Sequence, residues 1–155
     1  MALSEYRLLV TEYPTVQFYD KAQKSLSDLR LIDNRFEESL NHLRAMVRMD
    51  TLYSNEELDL TGCEILERWY KTDETQIDAV VEAYRDMIMT YVNSEKAPLY
   101  RYRLALYLFA KGEVRESQAL LEALGDLSGD PDLQRKKTEL LEKIRKPAEA
   151  KPGLP

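Results

Sequence analysis

Cysteine, histidine, glycine and proline are all scarce in this chain of 155 residues, and each scarcity excludes something. One cysteine, Cys63, cannot form an internal disulfide, which makes a reducing, cytoplasmic setting the expectation. The one histidine, His42, stands beside Asn41 at the edge of an apolar stripe. No nucleophile or orienting partner accompanies it, so triad chemistry is not expected. A metal site needs clustered His, Cys or carboxylate ligands. The pairs Glu37-Glu38 and Glu56-Glu57 are adjacent on helical stretches, where neighbouring side chains diverge. A glycine-rich phosphate loop is missing. These absences predict no catalytic residue, no cofactor and no metal. Five glycines and six prolines also favour long helices over many short strands.

Long apolar runs are missing too. Nothing approaches the run of about 18 apolar residues that a spanning helix needs. The N-terminal MALSEYRLLVTEY lacks a basic region followed by an apolar core, so a secretory signal is not expected. The net charge of −6 opposes general nucleic-acid binding, which rests on neutralising phosphates.

What the chain does have is helical patterning around one stretch, PLYRYRLALYLFAKGEVRESQALLEALG, residues 98–125. Pro98 suits a first helical turn, where its missing N–H costs nothing. From Leu99 to Ala110 nearly every residue is apolar or tyrosine, so this helix needs neighbours on more than one side. Gly112 supplies a turn. A narrower helix follows with Val114, Leu120, Leu121 and Leu124 on one side, and Gly125 reads as its C-terminal stop with Leu127 as the accompanying contact.

Upstream, Tyr6, Leu9 and Tyr13 suggest a short N-terminal helix ended by Pro14. Tyr19, Ala22, Leu26 and Leu29 mark the next helix. Asn34 with Glu37 has capping-box spacing ahead of the stripe Phe36, Leu40, Leu43, Val47. Ser54 with Glu57 is a better box, and the helix behind it carries Leu58, Ile65, Leu66, Trp69 and Tyr70. Gly62 inside that helix suggests the close approach of another backbone. Asp73 with Gln76 opens a helix bearing Val80, Tyr84, Met87 and Ile88. Asp130-Pro131 opens the last, with Leu133, Leu140, Leu141 and Ile144 inside. The tail 147–155 is expected to be disordered. The expected organisation is one helical domain, residues 1–146, with hairpins at about 15–49, 55–92 and 98–125 and a capping helix at 131–145.

The turn markers Asn34, Asp73 and Gly112 are each 39 residues apart, a period that suggests stacked helical hairpins. The third hairpin resembles a tetratricopeptide repeat: Leu104-Ala105, Gly112-Glu113 and Ser117 stand in step where that family keeps its helix crossing, turn and second small residue, followed by Leu121 and Leu124. NRFEESLNHLRAMVRMD resembles the second half of such a repeat, although Arg30 stands where an aromatic is usual. Leu58, Thr61-Gly62 and Ile65 keep the spacing in the second hairpin. The period also fits HEAT-like repeats. The resemblance implies an all-α, right-handed superhelical array of about three hairpins with flanking helices at both ends.

It also implies a function. First helices of such repeats line a concave groove, which puts Leu99, Tyr102, Leu106 and Phe109 on a protein-binding floor with Arg103 beside them. The lysine and asparagine set that clamps a peptide carboxylate in some members is missing here. Three repeats in this length resemble small bacterial secretion chaperones. The expectation is thus a non-enzymatic adaptor or assembly module whose partner is another protein or a peptide segment. The alternative is a structural subunit that forms a homo-oligomer through its tyrosine-rich face, Tyr100, Tyr102 and Tyr107. Residues 131–151 carry seven basic and four acidic groups against a net −9 elsewhere, which suits either a cap with a polar outer face or a basic contact.

Overall fold

The computed structural model describes residues 16–48 and 53–146. Among them are seven α-helices and no strand. The expected N-terminal helix at Ser4–Tyr13 and the tail 147–155 lie outside the described residues. The chain divides into two compact units, residues 1–76 and 77–155.

The first unit holds α1 (Val16–Ile32), α2 (Phe36–Arg44), α3 (Asn55–Thr72) and a 3-10 turn, Glu74–Gln76. α1 and α2 pack along each other, and α3 packs on α2. Ser54 caps α3 as its box predicts, its hydroxyl accepting from the Glu57 amide at 3.1 Å. Asn34 is not a cap. It adopts φ 57° in the turn, and α2 starts after Arg35 without a side-chain cap. Asparagine tolerates this left-handed conformation better than most residues. The stripe on α2 also stops early. The helix ends at Arg44, Met46 is buried, and Val47 is exposed. The cause is Asp20, whose buried carboxylate accepts from the amides of Val47 (2.6 Å) and Arg48 (2.9 Å) and draws the backbone out of the helix. Trp69 stacks on Phe36 with ring centroids 6.0 Å apart. A Cβ on Gly62 would meet the Leu43 Cδ2 atom at 3.5 Å, an ordinary contact with a side chain, so the expected close backbone approach is not what this glycine serves.

The second unit holds α4 (Ile77–Thr90), α5 (Ala97–Lys111), α6 (Val114–Ala123) and α7 (Pro131–Arg145). α5 touches all three others, which explains why its sequence is apolar on more than one side. The hairpin expected at 55–92 straddles the boundary between units. Within its own unit α4 finds its partner in α5: Val80, Val81, Tyr84 and Met87 are buried, and Tyr84 stacks on Tyr107 at 6.2 Å. Asp73 ends α3, and its carboxylate accepts from the Thr75 amide and hydroxyl. Asp130 caps α7 through the Leu133 amide at 3.1 Å, as expected, and Gly125 takes φ 64° after α6.

The hairpins α1–α2 and α5–α6 share one construction. Each turns on a residue with positive φ, Asn34 at 57° and Gly112 at 94°. Each closes α1 or α5 with a bond spanning five residues, Arg35 N to Arg30 O and Glu113 N to Leu108 O, both 2.8 Å. Each crosses at a serine: Ser39 Oγ donates to the Ser27 carbonyl at 2.7 Å, and Ser117 Oγ donates to the Ala105 carbonyl at 2.6 Å. Every one of these positions recurs after 78 residues, twice the period of the turn markers. A buried serine here lets two helices approach closely and still satisfies its hydroxyl.

Candidate functional site

The residues expected to floor a groove all lie on α5, and the structure separates them. Tyr102 and Phe109 are 8% and 3% exposed and belong to one apolar cluster with Ala105, Leu121, Leu133, Leu140 and Ile144. Leu133, Leu140 and Ile144 come from α7, so the chain's own last helix covers the expected floor. Leu106 packs against the same cluster, half-buried. The physical reason is the stripe on α7: its apolar residues, spaced by seven and four, need a seat, and the surplus apolar side of α5 supplies one. Arg103 is not on a groove rim. Its Nη1 donates to the Tyr84 hydroxyl at 3.0 Å and ties α5 to α4. Tyr100, Tyr102 and Tyr107 are all buried, so the tyrosine-rich face offered for self-association is interior.

Burial has an electrostatic trace at Tyr102. Desolvation, followed by the nearby Glu139 carboxylate, pushes its hydroxyl above the usual tyrosine value. Around this core, ion pairs tie the helices of the unit together. Arg85 on α4 reaches Glu116 on α6 at 3.0 Å, and Lys111 at the end of α5 reaches Asp78 on α4 at 2.8 Å. All four are partly or well exposed, so each pair adds little stability.

Leu99 is the one expected groove residue with open space beside it. It lines a cleft of about 330 Å³ at the start of α5, walled by Pro98, Leu127 and Leu133. The wall on the far side is the loop from α6 to α7. Gly125 ends α6, and the Leu127 amide donates to the Gln134 side-chain carbonyl at 3.1 Å, which holds that loop against the first turns of α7. The Gly125 carbonyl accepts from the Lys137 ammonium at 2.5 Å. The cleft is therefore framed by two helix starts and a tethered loop. Sequence patterning marked Leu99 and Leu127 singly, as a helix face and a cap contact, but had no means of showing that they meet.

His42 and Cys63 serve the interior. The His42 Nδ1 lies 2.8 Å from Gln23 Oε1, which places this half-buried ring in the polar seam between α1 and α2. Cys63 is buried in α3. Among the described residues no three His, Cys, Asp or Glu side chains converge as a metal would require. Among them also, no helix is long and apolar enough to cross a membrane. No family model matches this chain, and neither does any curated protein or solved structure.

Proposed function

We propose that this chain is a non-enzymatic scaffold of tetratricopeptide-like helical hairpins that binds a segment of another protein. The observation that carries this reading is the recurrence of one hairpin construction, with left-handed turn, five-residue closure and serine crossing, 78 residues apart. A hairpin repeated within one chain is the building block of arrays whose use is to present an extended binding surface. A right-handed superhelix of such hairpins belongs to the same reading. Its role is that of an adaptor or assembly factor: apolar anchors of the partner supply affinity and rim charges supply selectivity. With α7 seated on the middle of α5, binding shifts to surface that α7 leaves open, and Leu99 is the part of α5 where this holds.

The test is affinity capture with mass spectrometry, run on the wild type and on a Leu99→Glu variant of matched melting temperature. A protein recovered in stoichiometric amount by the wild type supports the scaffold. Its loss from the variant assigns the contact to α5. A monomeric chain that recovers no partner reproducibly, alongside a turnover of small molecules, would replace the scaffold reading with an enzymatic one.

A further inference from the structure

We infer that the Leu99 cleft takes one apolar side chain of a partner segment with a single lysine or arginine directly beside it. This rests on the scaffold reading above and adds the chemistry of the occupant. The walls are apolar: Pro98 and Leu99 from α5, Leu127 from the loop, and Leu133 from α7. A cleft of about 330 Å³ lies at the small end of binding sites, and holds one large side chain rather than a whole ligand.

The rim decides the neighbour. Glu95, Asp126 and Asp130 carry three negative charges around the opening, and Lys96 carries one positive charge. The formal balance is −2. Two helix starts also face this region, α5 at Ala97 and α7 at Pro131, and each N-terminus adds about +0.5. The sum is then about −1, so one cation is favoured and an anion is not. Two of the carboxylates are held in place. Asp126 accepts from the Ser128 amide at 3.0 Å and Asp130 from the Leu133 amide at 3.1 Å, each through one oxygen. Anchored acceptors lose little freedom when a guanidinium or ammonium arrives, which favours selectivity at this spot. The apolar walls reward burial of a leucine or aromatic ring, and the rim rejects an acidic neighbour.

The experiment pans a random-peptide phage library against the full chain and measures enriched peptides by fluorescence anisotropy. The expected result is a shared pair, an apolar residue adjacent to Lys or Arg, with affinity falling about tenfold or more in Leu99→Glu. Glu95→Lys, an exposed position that does not threaten folding, should weaken the same peptides, and added salt should narrow the difference between it and the wild type. Enriched peptides that lack the cation, or that bind both variants as well as the wild type, overturn the cleft assignment and leave the scaffold reading standing. A panning that enriches nothing overturns the cleft assignment, and together with failed partner capture it overturns the scaffold reading too.

Discussion

Ser39 and Ser27 bond to each other's backbone: Ser39 Oγ donates to the Ser27 carbonyl at 2.7 Å, and Ser27 Oγ donates to the Ser39 carbonyl at 2.8 Å. The two hydroxyl oxygens are 3.0 Å apart and both residues are fully buried. This reciprocal pair locks α1 onto α2. Replacing either serine by alanine should cost about 1 kcal/mol, the usual worth of a buried hydrogen bond. The double variant should cost less than the sum, because the hydroxyls touch. Urea unfolding of the two single variants and the double gives the coupling directly, and strict additivity would count against the lock.

Two glycines should respond in opposite directions. Gly112 has φ 94° with nothing within 4 Å of where a Cβ would stand, so the penalty for a side chain there comes from backbone strain, not crowding. Gly112→Val should destabilise by more than about 1 kcal/mol. Gly62 is helical, and its added Cβ would make only an ordinary contact, so Gly62→Ala should stabilise by about 0.5–1 kcal/mol. Thermal melts of both variants decide the matter. The same sign for both would show that one of these backbone assignments is wrong.

The sequence revealed the helices well because their signals are local. The Ser54 box, the Asp130-Pro131 start and the Gly112 turn each act within a few residues of themselves. Asn34 misled because asparagine serves equally well as a cap and as a left-handed turn residue, and only the chain's path distinguishes the two. Asp73 keeps the period of the turn markers but ends α3 in an extended conformation followed by a 3-10 turn, so spacing alone overstated its likeness to Asn34 and Gly112. The role of α5 was the least legible. Its excess of apolar residues correctly demanded another neighbour, but periodicity cannot say whether that neighbour is a partner or, as at Tyr102 and Phe109, the chain's own α7.

Tyr102 should make the fold sensitive to alkali. Burial raises its hydroxyl above the ordinary value of 10.0, so the folded state holds the proton more tightly than the unfolded chain does. The resulting stability is complete below the unfolded value and is lost as pH rises through the folded one. Tyr102→Phe should therefore lose less stability than the wild type between neutral and strongly alkaline pH. Denaturant melts of both proteins across that range provide the comparison, and parallel curves would mean that the hydroxyl is not desolvated.

Arg30 occupies the place in the first hairpin that Leu108 holds in the other, and it is 2% exposed. Its Nε stands 3.0 Å from a Glu38 oxygen, but not in the direction of a proper hydrogen bond. A charge held this way in the interior contributes little beyond its volume. Arg30→Met should change stability by less than about 1.5 kcal/mol, whereas Arg30→Ala should cost about 2–5 kcal/mol for the space it leaves. Equal losses in the two variants would show that the guanidinium, not the packing, matters.

The seat of α7 on α5 determines which part of this chain is available to a partner, and methyl and aromatic nuclear Overhauser effects measure it most directly. Through-space contacts are expected from the rings of Tyr102 and Phe109 to the methyl groups of Leu133, Leu140 and Ile144, the members of one buried cluster. Leu99 should show contacts to Leu127 while remaining open to a soluble paramagnetic probe. Rings of Tyr102 and Phe109 that contact no α7 methyl and are relaxed by the probe would contradict this account and return the middle of α5 to the role of an open binding floor.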